Sequence, residues 1–129
     1  NVPIVISFTV ETHGNLPSGQ PLGEAIEEVD AATSAGPIYY MINCAHPAHF
    51  GKQLAVGASW LSRLGGLRSN ASMRSHAELD QMLELDDGDP TDLGARVQAI
   101  RSKLPSLNVI GGCCGTDHRH VRQICETLG

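Results

Sequence analysis

Aromatic side chains are scarce in this chain: one Trp, two Tyr and two Phe make up 4% of 129 residues. Positive charge is also short, with nine Lys and Arg against fourteen Asp and Glu and a net charge of −5. Neither the basic patches nor the interleaved aromatics of a nucleic-acid surface are present, so no nucleic-acid partner is expected. No apolar run approaches the roughly 18–20 residues that cross a bilayer. The opening Asn1-Val2-Pro3-Ile4 lacks the basic flank of a signal peptide. A soluble, cytoplasmic protein with no membrane partner is therefore expected. The first residue is Asn rather than Met, which points to a processed start or to a piece of something longer. There is no Cys-x-x-Cys, so a cysteine redox domain ranks last among the functional readings.

What is present is enough to fold. Hydrophobic residues are 41% and charged residues 18% of the sequence, outside the composition of disordered segments. The length suits one domain, or part of one, over residues 1–129. Ile4-Val5-Ile6-Ser7-Phe8-Thr9-Val10 reads as a strand buried on both faces, and Leu22, Ala25, Ile26, Val29 and Ala32 then recur at helical spacing up to Gly36-Pro37. Ile38 to Ile42 reads as a second buried strand, followed by a helical stretch with Phe50, Leu54 and Leu61 on one face. Leu64 to Ser69 is a weaker third strand. The polar, acidic connection from Asn70 to Gly88 is expected to hold one short helix near His76 to Leu85. Asp89-Pro90-Thr91-Asp92 supplies an N-cap, a first-turn proline and a first-turn carboxylate for a helix burying Leu93, Val97, Ile100 and Leu104. Asn108 to Gly112 is a fourth strand, and Asp117 caps a last helix expected to turn Val121, Ile124, Cys125 and Leu128 inward.

Strands alternating with helices, without hairpin signals, argue for an α/β fold with a parallel sheet. Right-handed crossovers gather the strand-to-helix loops at one rim. On that rim fall Ser7, Thr9, Cys44, Asn70, Cys113 and Cys114. Four cysteines in an acidic chain of this kind are better read as metal ligands or catalysts than as a disulfide framework. Three thiols at one rim suit zinc, which in catalytic sites takes three protein ligands and leaves a fourth position open. The competing readings are thiols packed as small hydrophobes and, between Cys113 and Cys114, an oxidative disulfide. Cys125 is assigned to core packing. His46, His49, His118 and His120 are read as polar residues facing solvent rather than as ligands, and Glu84, Asp86, Asp87 and Asp89 as a solvated loop and helix cap without calcium-loop spacing.

Asn43-Cys44-Ala45-His46-Pro47 and Gly111-Gly112-Cys113-Cys114-Gly115-Thr116 together resemble the paired signatures of the homocysteine S-methyltransferase family. Ser7-Phe8-Thr9, Gly19-Gln20-Pro21-Leu22 and Leu85-Asp86-Asp87-Gly88-Asp89-Pro90 extend the resemblance over the whole chain. The resemblance implies a zinc-dependent (β/α)8 TIM barrel that methylates homocysteine to methionine. Its donor would be of the S-methylmethionine, S-adenosylmethionine, betaine or methylfolate type. Cys44 would then end the sixth strand, and Cys113 and Cys114 the eighth, as the metal ligands. The chain would supply strands five to eight, the carboxyl-terminal half, and would need its other half or self-association. Asn70 matches an asparagine the family often carries and is a candidate substrate contact. From the first strand Thr9 is the other candidate, alternation being taken to turn only one of Ser7 and Thr9 inward. The rival expectation is a non-catalytic zinc- or thiol-binding half-barrel without a donor pocket.

Overall fold

In the computed structural model, which describes residues 2–54 and 57–129, four strands form one parallel sheet in the order β1-β2-β3-β4. They are β1 (Val5–Thr9), β2 (Tyr39–Ala45), β3 (Leu64–Ser69) and β4 (Val109–Gly112). Five helices connect or follow them: α1 (Leu22–Thr33), α2 (Pro47–Phe50), α3 (His76–Asp80), α4 (Pro90–Lys103) and α5 (His118–Leu128). The architecture is α/β, as the alternation of patterns predicts.

The core lies between one face of the sheet and the helices. Tyr40, Ile42 and Leu67 from the strands meet Leu22 and Ile26 of α1, Leu93, Val97 and Ile100 of α4, and Ile124 of α5. The Phe8 ring stacks on Tyr40 at 5.9 Å between centroids. Burial alternates along β2, so its other residues lie on the opposite face. No helix covers that face among the described residues, and Val5 on it is 39% exposed. The expectation of a first strand buried on both faces is thus corrected: β1 is an edge strand with one packed side, where only Ile6 and Phe8 reach the core.

At the other end of the core, Asp30 of α1 accepts from Arg63 Nε at 2.8 Å and from the Tyr40 hydroxyl at 2.7 Å. Arg63 also donates to the carbonyls of Pro37 and Ile38. One ion pair thus ties α1 to the entries of β2 and β3.

The expected long helix after β2 is also corrected. Phe50, Leu54 and Leu61 are all buried, but α2 stops at Phe50 and a separate 3-10 turn spans Ser59–Arg63; Ala55 and Val56 lie outside the described residues. The helix expected from His76 to Leu85 ends at Asp80, and Leu83 and Leu85 are exposed. In α4 every expected side chain is buried, and Asp89 accepts from the backbone N–H groups of Thr91 and Asp92. Asp117 caps α5 and Ile124 is buried, but Val121 and Cys125 are exposed, so the core assignment of Cys125 is corrected. Among the described residues no element packs against that side of α5.

Candidate metal centre

The register sets the site. β2 and β4 flank β3, so the ends of β2 and β4 face each other across one strand. Pairing of β2 with β3 is irregular between Asn43 and Ala45, where Cys44 takes a left-handed backbone with φ 52°. Past β4, the Cys113 N–H donates to the Ser69 carbonyl at 2.7 Å, and Thr116 donates to the Cys113 carbonyl through its N–H and its hydroxyl. Gly112 makes this turn possible, since a Cβ there would lie 2.0 Å from Thr116 Oγ1. At Gly115, with φ 77°, a Cβ would lie 2.5 Å from the Asp86 carbonyl.

These backbones bring the sulfurs of Cys44, Cys113 and Cys114 within 4.8 Å of one another. Sγ of Cys44 and Sγ of Cys113 are 2.6 Å apart. Cys44 and Cys113 are half-buried and Cys114 is exposed, so the cluster opens on one side. Burial, and then the adjacent Cys113 thiol, push the Cys44 thiol above its ordinary pKa. Soft sulfur donors of this number suit zinc. The three sulfurs, the glycine cradle and the open side fit that metal. No other group of three Cys, His, Asp or Glu side chains gathers in this way among the described residues.

Around the sulfurs lies a shell that sequence reasoning only partly anticipates. Asn70 is buried; its N–H donates to the Ala45 carbonyl and its Oδ1 accepts from the Cys114 N–H at 3.2 Å. It therefore holds the loop that carries Cys114, and it also lines a cleft of about 220 Å³ beside that residue. Ser7 and Thr9 are two apart on one strand, so both face the same side, which corrects the expectation that only one turns inward. The Ser7 hydroxyl donates to Asn43 Oδ1 at 2.6 Å, and Asn43 Nδ2 donates to Thr9 Oγ1 at 3.1 Å.

Three participants escape the sequence reading: Asn43, Glu11 and His76. His76 Nε2 bonds the Cys44 carbonyl, and Nδ1 lies 3.3 Å from the Glu11 carboxylate. The Cys44 carbonyl, followed by Glu11, raises the His76 pKa against the opposing effect of burial. When protonated, the ring can donate on both sides. A signal for this helix start was present, since Ser75 and Glu78 form a capping box around His76.

The other histidines stand outside the three-sulfur cluster, but not all of them face solvent. His46 is 2% exposed and caps α2 by accepting from the Ala48 N–H, and burial lowers its pKa to about 4. His120 is wholly buried, accepting from the Asp117 N–H and donating from Nε2 to the Asp87 carbonyl at 2.7 Å. For these two the solvent-facing expectation is corrected: each satisfies backbone groups at a helix entry. The acidic segment is likewise more organised than a solvated loop. Asp86 accepts from Ser72 Oγ and Arg74 Nε, and Asp87 pairs with Arg119 at 2.6 Å.

The fold and site together define an α/β protein with a parallel sheet whose carboxyl-end rim carries a three-cysteine cluster that could hold a metal ion. The sequence pattern of the homocysteine S-methyltransferase family matches residues 1–128, and the chain belongs to that family. It is similar to the methionine synthase of Mycobacterium leprae (strain TN), with 25% identity over 137 aligned positions, which take in 99% of this chain and 10% of that protein. The chain thus spans about a tenth of the length of that relative.

Proposed function

We propose that this chain is the carboxyl-terminal half of a (β/α)8 barrel that methylates homocysteine to methionine, with a zinc ion held by Cys44, Cys113 and Cys114. The observation that carries the reading is the convergence of the three sulfurs within 4.8 Å in a chain of this family. In that barrel β1 to β4 are strands five to eight, and residues 1–129 are a single partial domain. When bound, zinc supplies a Lewis-acid position at which a thiol is ionised at neutral pH.

The chain's own residues set the geometry. Asn70 fixes the Cys114 backbone, and the cleft beside Cys114 receives the substrate amino acid. Thr9 and Ser7 hold Asn43 and so fix the end of β2 next to Cys44; in this reading Thr9 and Asn70 are the substrate-side positions. Methyl transfer forms the sulfur–carbon bond of methionine as the donor's bond to the methyl group breaks. Holding both reactants in line supplies much of the acceleration in such a transfer.

Elemental analysis of protein purified under reducing conditions tests the metal, and about one zinc per chain is the expected result. Substitution Cys113→Ala in the complete protein, with both halves of the barrel present, is expected to abolish both zinc retention and methionine formation. Methionine formed at the unmodified rate by that variant would remove the proposal.

A further inference from the structure

The backbone of Cys44 is the least comfortable part of the metal centre. A residue with a Cβ rarely takes φ near 52° and keeps it only where its surroundings over-determine it. The irregular pairing on either side of Cys44 loosens its connection to β3. Its carbonyl is bonded instead by His76 Nε2 from α3. His76 is itself held twice. Its Nδ1 faces both carboxylate oxygens of Glu11, just past β1, at 3.3 Å. Its helix start is fixed by the Ser75–Glu78 capping box. Three segments far apart in sequence, after β1, at the end of β2 and after β3, thus meet on one imidazole.

We propose that His76, backed by Glu11, is a positioning residue that locks the Cys44 backbone in its ligating conformation. The connection from Asn70 to Gly88 thereby acts on metal affinity although it supplies no ligand. The inference rests on the metal reading above and extends it to two side chains that do not touch the metal. Groups that orient ligands in this way typically contribute 10- to 100-fold to metal affinity.

The test has two readouts on the full chain: zinc affinity by competition with a chromophoric chelator, and amide hydrogen exchange of residues 43–46 in metal-free protein. His76→Ala is expected to weaken zinc binding about tenfold and to speed exchange of that segment by a similar factor, with α4 protection unchanged. His76→Gln, whose amide can still donate to the Cys44 carbonyl, is expected to restore affinity to within about threefold, and Glu11→Gln to fall between. Unchanged affinity and exchange in His76→Ala would overturn the inference. Equal acceleration in α4 would also overturn it, by showing a general loss of stability. Failure of the unmodified chain to take up zinc would instead remove the metal reading, and exchange at residues 43–46 would then decide the clamp alone.

Discussion

Ser69 and Asn70 are neighbours at the end of β3, both buried, and their side chains stand in opposite circumstances. Ser69 Oγ has no hydrogen-bond partner among the described residues, whereas Asn70 Oδ1 is the acceptor for the Cys114 N–H. Removing an unpartnered buried hydroxyl relieves a desolvation cost, while removing an acceptor strands the donor that faced it. Ser69→Ala is therefore expected to leave stability within about 0.5 kcal/mol of the unmodified protein or to raise it. Asn70→Ala is expected to cost about 1–3 kcal/mol. Urea unfolding of the two variants side by side checks both, and the reverse ordering would show that the hydrogen bond is not what holds the Cys114 turn. At the same scale, the three thiols were legible because Cys44 and Cys113-Cys114 fall just past strand patterns. His76 and Glu11 were not, because the partner of His76 is a backbone carbonyl, which leaves no mark in the sequence.

Between elements, the Asp30–Arg63 pair is the clearest fastening. Hydrogen bonds from Arg63 and then from Tyr40 hold the Asp30 carboxyl below the ordinary carboxylate range. A carboxyl depressed in the folded state contributes stability that is present above its unfolded pKa of about 3.9 and is lost as pH falls through the folded value. The unmodified protein is thus expected to lose stability progressively below about pH 4. Asp30→Asn should be less stable near neutrality and show a shallower acid limb, as read from urea midpoints across pH. An acid limb of unchanged slope would assign the acid loss to other carboxylates.

Elements differed in how far they could be read. α4 and α5 carry side-chain caps, Asp89 and Asp117, that mark their starts, so their positions were legible. α2 and α3 are only four and five residues long. There burial follows from tertiary packing rather than helical period, and the buried Phe50, Leu54 and Leu61 imitated one helix face. His46 and His120 misled for a related reason, since a side chain that satisfies a helix entry from the inside looks like any polar residue near a cap.

For the molecule as a whole, the sheet has one packed face and two edge strands, β1 and β4. Ile4, Ile38 and Val109, at or just before the amino ends of their strands, are 56%, 57% and 44% exposed. Exposed edges and apolar patches of this kind favour association. The isolated 129-residue chain is expected to show an average mass that climbs with concentration in sedimentation velocity. The pair Ile4→Lys with Ile38→Lys should lower that climb. A single monomeric species at every concentration would show that these exposed edges and strand ends are tolerated in water.

The placement of β3 between β2 and β4 also dictates a sequence of events as the chain folds. Cys44 and Cys113 are 69 residues apart, and their strands never pair with each other. They become neighbours only once β3 has docked on β2 and β4 on β3. In the proposed metal-bound form, metal uptake is therefore expected to follow completion of the sheet rather than to start it. A chain stalled before that last docking step is expected to hold its thiols apart and open to oxidation until β4 arrives.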